Sequence, residues 1–313
     1  MRRLLSVALV LTLLVGGGFT AFDHLAPQES AQLAAELEHA LSKLERKSVM
    51  VDGLEVVYLE GGSGEPLVLI HGFGADKDNF TRVARGLTSH YRVIIPDLPG
   101  FGESSRPVAS SFHIPDQSER VHRFVAALGI NTAHFGGSSM GGWIIADYAA
   151  RYPLQTLSLW LLAPGGVRGA DPSPMQKAYT VTGVSPLIAQ SPDDFERIIN
   201  LVMADPPYMP YSIKRVLGVR AAQDAKLHTE IFEQIVKDEP LEQIATHITA
   251  PSLIVWGQQD QVLDVSGAYI LQRALKDSQL IVMPDTGHLP MLEKPKQAAA
   301  DYLDFRTSLA ATP

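Results

Sequence analysis

The chain has 313 residues, 46% of them hydrophobic and 19% charged, enough to bury one large core together with an insertion. A formal charge of −8, with no long Lys/Arg run, excludes the electrostatic footprint of a nucleic-acid binder. The absence of cysteine excludes disulfides, thiolate nucleophiles and Cys-based metal sites, and the ten histidines form no HExxH-like cluster, so no metal or other cofactor is expected.

At the amino terminus, Arg2 and Arg3 precede an uncharged apolar stretch from Leu4 to Phe22. Residues 1–22 read either as a signal peptide, with Gly16 or Gly18 as the small cleavage-site residue, or as an uncleaved signal anchor near the lower limit of spanning length. Both readings keep the positive charge in the cytoplasm and carry the rest across, which predicts an exported protein, secreted or periplasmic, with membrane association through this segment as one form. Residues 23–48 read as an amphipathic helical segment: from Pro27 to Lys47 leucines recur at 33, 37, 41 and 44, with acids early and bases late. The polar face is mixed rather than basic, which favours a helix packed on the domain over one lying in a membrane surface.

Met50 to Glu60 reads as a β-hairpin turning at Asp52-Gly53. Short uncharged apolar runs follow at Leu67 to Ile70, Val93 to Ile95, Ala133 to Phe135, Leu157 to Leu162, Leu253 to Trp256 and Leu280 to Met283, most separated by helical periodicity. Such runs suit strands buried on both faces, so residues 49–167 and 241–313 are predicted to form an α/β core with a mostly parallel sheet flanked by helices. Ligand groups collect at the carboxyl ends of strands in sheets of this kind. Residues 168–240 break the rhythm with several short helices opened by Pro or Asp and no buried strand, a helical cap over the sheet edge.

The chemistry-bearing residues fall at the predicted strand ends. Gly137-Ser138-Ser139-Met140-Gly141 is a G-x-S-x-G pentapeptide between the run ending at Phe135 and a helical pattern, which places Ser139 in a tight strand-to-helix turn as a nucleophile. A serine hydroxyl needs a base, and His288, in the loop after the last buried run, is the best candidate. His71, His90, His113, His122, His134, His228 and His247 stand in the wrong chain order for that role. The carboxylate behind the histidine is Asp260 or Asp264, both just after Leu253 to Trp256; Asp260 is nearer the strand end, and Asp264 has the alternative work of capping the helix that follows. In His71-Gly72-Phe73-Gly74 the Phe73 amide is placed to bind an oxyanion together with the Met140 amide.

HGFG, DLPGFGES, GGSSMGG, WGQQD and GHLPMLEKP, in this order from about Val57 to the end, resemble the α/β-hydrolase superfamily. VWGQQDQVLDVSGA and the hydrophobic amino terminus resemble the membrane-associated monoacylglycerol lipases and the related lipases of cold-adapted bacteria. The resemblance implies the α/β-hydrolase fold, a triad of Ser139, Asp260 and His288, and oxyanion donors at Phe73 and Met140. Ser138 departs from the Asn or Thr found before the serine in many relatives, which bears on the subfamily alone.

The activity expected is therefore hydrolysis of fatty acyl esters, acylglycerols among them, through an acyl-enzyme without a cofactor. Two alternatives share the fold: carbon–carbon bond hydrolysis of ring-cleavage products, which export disfavours, and a non-catalytic small-molecule receptor, which retention of all three triad residue types disfavours. The expected partner is a lipid or acyl ester, with no nucleic acid.

Overall fold

Asp52 and Gly53 both adopt left-handed backbone, φ 50° and 79°, the pair of conformations that lets a two-residue turn follow the twist of antiparallel strands. They join β1 (Glu45–Val51) to β2 (Leu54–Gly61), which open an eight-stranded sheet. The chain then lays down β3 (Pro66–Ile70), β4 (Arg92–Pro96), β5 (Ala133–Ser138), β6 (Thr156–Leu162), β7 (Ser252–Gly257) and β8 (Ser278–Met283). Each predicted apolar run falls in one of these six strands. The computed structural model describes Gly18, residues 20–108 and residues 110–310.

The strand order is β1-β2-β4-β3-β5-β6-β7-β8, with β2 antiparallel to β1 and β4 and every other pairing parallel. After β3 the chain moves toward one edge to form β4, and after β5 it moves toward the other. The order therefore reverses between β3 and β5, the place where open α/β sheets gather ligands beyond the carboxyl ends of their strands. The HGFG loop leaves β3 and Ser139 leaves β5, so the two motifs flank that switch point.

Alternation within the strands builds a core on each face. Leu67 and Leu69 of β3 join Phe80, Val83, Trp160, Tyr302 and Phe305 on one side, while Val68 and Ile70 join Phe124, Phe135, Ile144 and Tyr148 on the other. The covering helices are α1 (Pro27–Leu41), α2 (Ile114–Ala127), α3 (Met140–Arg151), then α4 (Pro174–Thr182), α5 (Asp194–Val202), α6 (Tyr211–Gln223) and α7 (Ala225–Ile235) in the insertion, and finally α8 (Ser266–Ala274) and α9 (Pro295–Ala310). Among the described residues the stretch between β6 and β7 contains no strand.

The amino-terminal region differs from expectation in two ways. The helix predicted to Lys47 ends at Leu41, Lys43 turns to a left-handed φ of 56°, and residues from Glu45 onward pair as β1, where Lys47 Nζ bonds Glu60 on β2 at 3.0 Å. The leucine stripe also points outward. Small residues, Ser30 and Ala31, are the buried ones in α1, whereas Leu33, Leu37 and Leu41 are 57%, 58% and 52% exposed and only Leu44 enters the core. Helix α1 packs on α6 of the insertion, and Asp23 just before it accepts the Tyr211 and Ser212 amides at 3.0 and 3.2 Å, satisfying donors at the start of α6. The apolar stretch from Leu4 to Phe22 lies outside the described residues apart from Gly18 and residues 20–22, and no helix of the described residues is long and apolar enough to cross a membrane.

Candidate active site

Ser139 occupies the single residue between β5 and α3 with φ 54° and ψ −120°, a backbone conformation that a non-glycine residue holds only when its surroundings enforce it. The Ser139 amide donates to the Leu162 carbonyl at 3.0 Å, and its own carbonyl accepts from Gly165 at 2.8 Å and Trp143 at 3.2 Å. The flanking glycines are a steric necessity: a Cβ on Gly141 would lie 2.2 Å from the Ile70 carbonyl oxygen, and one on Gly137 would lie 2.5 Å from that of Gly141. The G-x-S-x-G spacing thus lets β3, β5 and α3 close around the turn, with the serine at the positive end of a twelve-residue helix.

His288 and Asp260 come together from the loops after β8 and β7. The His288 Nδ1 and Asp260 Oδ2 atoms are 2.7 Å apart, and both residues are buried. The other oxygen of Asp260 accepts the Val262 and Leu263 amides at 2.8 and 2.9 Å, so the carboxylate is fixed in orientation. Ionised, it accepts the Nδ1 proton and leaves Nε2 of the neutral ring as the basic nitrogen. Asp264 bonds the Ser266 amide at 2.9 Å at the start of α8, the capping work weighed for it above. The hydrogen bonds of the described residues do not include one between Ser139 Oγ and the His288 ring; such bonds are often long before substrate arrives and tighten in the complex.

The HGFG loop runs directly against the serine, since a Cβ on Gly72 would sit 3.1 Å from that of Ser139. Among the described residues the Phe73 and Met140 amides donate no hydrogen bond within the protein. His71 is fully buried, and burial pushes its pKa down to about 4. Its Nε2 accepts the Leu98 amide at 3.0 Å, so Nδ1 carries the proton and donates to the Gly72 carbonyl at 2.8 Å. In a planar trans peptide the carbonyl and the next N–H point in opposite directions, so holding the Gly72 carbonyl turns the Phe73 N–H away from His71.

Two positioning residues escaped the reading of the sequence. His71 was weighed there only as a base, and its work depends on a peptide plane that no spacing reveals. Glu293, within the quoted GHLPMLEKP, gathers the Gly287 amide at 2.9 Å together with the Ala204 and Asp205 amides of the insertion at 2.8 and 3.1 Å. It orients the loop that carries His288, whose own amide donates to Val202 at 2.8 Å. A lone Glu five residues beyond the histidine was the available signal.

On the other side of the switch point lies a buried charge cluster. Lys77 Nζ bonds Asp97 at 3.0 Å and Glu103 at 2.6 Å, and Asp76 pairs with Arg220 of α6. Burial opposes ionisation of Asp76, but Arg220 and Lys77 outweigh it and hold the carboxyl down to about 2. Burial likewise opposes the charge on Lys77, and Asp97, Asp78 and Asp76 override it and raise its pKa. Among the described residues no group of three His, Asp or Glu side chains could hold a metal ion.

A family model described as the α/β hydrolase fold matches residues 65–205 and 209–295. Lipase 1 of Psychrobacter immobilis is 38% identical over 99% of each chain, and a monoacylglycerol lipase of Mus musculus is 30% identical over 80% of this chain and 78% of its own. Among solved structures, a membrane phospholipase A described as a bacterial virulence factor superposes with a TM-score of 0.89 at 41% identity over the whole of both chains.

Proposed function

Starting from the premise that the chain belongs to the α/β-hydrolase family and is a carboxylic ester hydrolase of the lipase/esterase type, we propose that Ser139, His288 and Asp260 cleave fatty acyl esters through an acyl-enzyme. The observation that carries this reading is the His288–Asp260 bond of 2.7 Å in loops that share one sheet edge with the strained Ser139 turn. His288 Nε2 takes the Ser139 proton as Oγ attacks the ester carbonyl, and Asp260 stabilises the imidazolium that results. The negative carbonyl oxygen is received by the Phe73 and Met140 amides, each such donor contributing about 3 kcal/mol to the lowering of the barrier. His288 returns the proton to the leaving alcohol, and the acyl group stays on Ser139. Water, deprotonated by the same nitrogen, then releases the fatty acid. No step requires a cofactor.

Residues 168–240 form the cap of this enzyme and exclude water from the site. A fluorophosphonate probe should label the full chain on Ser139, and Ser139→Ala should abolish both labelling and hydrolysis of a p-nitrophenyl ester series. Labelling at another residue, or undiminished turnover by Ser139→Ala, would sink the assignment.

The protein acts at a lipid surface through its amino-terminal region. The support is the outward stripe of Leu33, Leu37 and Leu41, on the helix that follows the apolar stretch from Leu4 to Phe22. Replacing all three leucines by Gln should lower sedimentation with phosphatidylglycerol–phosphatidylethanolamine vesicles while leaving hydrolysis of a soluble short-chain ester within about twofold. Unchanged partitioning would remove α1 from the membrane contact.

A further inference from the structure

A cavity of about 280 Å³ lies between the β1–β2 turn, the carboxyl end of β4 and helix α2. Neither Ser139, His288 and Asp260 nor residues 168–240 contribute to its walls, so it is distinct from the proposed site of hydrolysis. The walls are largely apolar, with Val51, Val56, Leu98 and Phe124 among them, and the volume suits a compact molecule rather than a long lipid chain.

The acids around the cavity are already engaged. Arg123 holds Asp52 at 2.6 Å and Glu119 at 2.8 Å, Lys77 holds Asp97 at 3.0 Å, and the exposed Asp116 accepts the Ser111 hydroxyl. Arg120, on the same wall, is different. Its guanidinium is half-buried 5.2 Å over the Phe112 ring, donates to the neutral Gln117 side chain at 2.9 Å, and forms no ion pair among the described residues. Burial lowers its pKa against the opposing pull of Asp116, whereas Arg106 and Arg220, each paired with a carboxylate, are raised.

A half-buried cation without a counter-charge, set in an apolar cavity, suits an apolar monoanion, and the planar fork of guanidinium donors matches a carboxylate. The same wall also bears on the oxyanion loop. Leu98 lines the cavity, and its amide donates to His71 Nε2 at 3.0 Å, the bond that leaves the His71 Nδ1 proton to hold the Gly72 carbonyl. An occupant that shifts segment 96–99 therefore reaches the Phe73 N–H through a single imidazole.

We propose that this cavity binds a compact apolar carboxylate, with its head on Arg120 and its body against Val56 and Phe124, and that occupancy alters turnover by way of Leu98 and His71. Binding stands apart from the proposed function, and only the effect on turnover rests on the oxyanion role of Phe73. The experiment titrates octanoate, 1-naphthoate and octanol calorimetrically into the full chain after a long-chain fluorophosphonate has capped Ser139 and filled the site of hydrolysis. At least one carboxylate should bind one to one and about tenfold tighter than octanol, the worth of a charge-assisted hydrogen bond, and the two carboxylates together tell whether a chain or a ring fits. Arg120→Gln should lower carboxylate affinity to that of octanol, and Val51→Trp, which fills the cavity, should abolish binding of all three. On the uncapped chain the bound carboxylate should change kcat for p-nitrophenyl acetate by about twofold or more in the wild type and not in Arg120→Gln, whereas competition at Ser139 would raise KM alone. Absence of carboxylate binding to the capped chain, affinity equal to that of octanol, or unchanged affinity in Arg120→Gln overturns the site. Binding with an unaltered kcat overturns the link through His71. If Val51→Trp does not fold, Arg120→Gln decides. Failure of the probe to attach at Ser139 would sink the catalytic reading instead, and the titrations of wild type and Arg120→Gln would then decide on uncapped chains.

Discussion

The two halves of the insertion meet the site by different chemistry. Beside Asp260 and His288, the base side, most of the holding is done by bonds between neutral groups: the Met175 amide donates to Gln261 at 3.0 Å, the His288 amide donates to Val202 at 2.8 Å, and Ser173 Oγ donates to the Val262 carbonyl at 2.7 Å, with the Glu293 carboxylate accepting the Ala204 and Asp205 amides as the charged exception. On the oxyanion side, charged side chains dominate: Arg220 with Asp76, Arg106 in two bonds of 2.7 and 2.8 Å with Asp224, and Asp238 with His113 and the Ile114 amide. Neutral backbone bonds are nearly indifferent to pH and salt, whereas ion pairs answer to both. The difference teaches that the half bonded to the loops of Asp260 and His288 is built to stay, and that the half carrying α6 and α7 is the one conditions can loosen.

The largest effect should come from breaking the base side at its centre. Asp260→Asn keeps the shape of the side chain but offers an N–H or a neutral carbonyl to His288 Nδ1, which spoils the tautomer, and kcat should fall about ten thousand-fold in stopped-flow or steady-state ester hydrolysis. The Tm should change little. A smaller loss is expected one layer out, at Glu293, where Gln replaces one of the oxygens that hold the Gly287, Leu289, Ala204 and Asp205 amides. Glu293→Gln should lower kcat by roughly ten- to a hundredfold with KM nearly constant, the signature of a misplaced base rather than lost binding.

Breaking the oxyanion side should register first as loosening. Arg220→Met removes the paired cation from Asp76, a carboxylate 4% exposed in the wild type that keeps the Asp78 amide at 3.0 Å and the more distant charge of Lys77. The expected cost is about 3 kcal/mol, seen as faster amide hydrogen exchange in α6 and α7 with exchange in α4 and α5 unaltered. Equal acceleration in all four helices would show that the insertion opens as one unit and would erase the distinction between its halves.

How much of this was legible in the sequence follows from which properties are local. The six apolar strands, of which the edge strand β8 is only half-buried, the Asp52-Gly53 turn and the strained turn at Ser139 are written in runs, dipeptides and glycine spacing, each short-range. The outward face of Leu33, Leu37 and Leu41 was not legible, because periodicity defines a face without saying which way it turns. The helix predicted to Lys47 stopped early because the pairing of β1 with β2 is a long-range gain that local propensity does not contain. His71, Glu293 and His228 share that limitation: one turns a peptide plane, one joins amides of its own loop to amides of a distant segment, and one packs its ring against Phe73 and Phe101 from far along the chain.

The smallest effect separates the halves by acid. His71, in the HGFG loop, and His228, in α7, are both pushed down to about 4 by burial, from an ordinary value of 6.5. Between pH 6.5 and 4 the unfolded chain binds protons that the folded chain refuses, so the stabilisation from each neutral histidine is complete above pH 6.5 and declines as the pH falls. At pH 5 the loss from each approaches about 2 kcal/mol. Asp97, which burial and the neighbouring Asp76 push up to about 6, contributes the opposite slope below that pH, and Asp76 itself, held down to about 2, acts only below 3.8. The informative quantity is therefore the difference between the wild type and His228→Phe, in which the shared contributions cancel. Urea unfolding should show that difference shifting by about 2 kcal/mol in favour of His228→Phe between pH 7.5 and pH 5, because the variant no longer has the α7 imidazole to protonate. A constant difference across that range would mean that His228 takes up its proton without leaving its place against Phe73 and Phe101, and that the oxyanion side is as indifferent to acid as the base side.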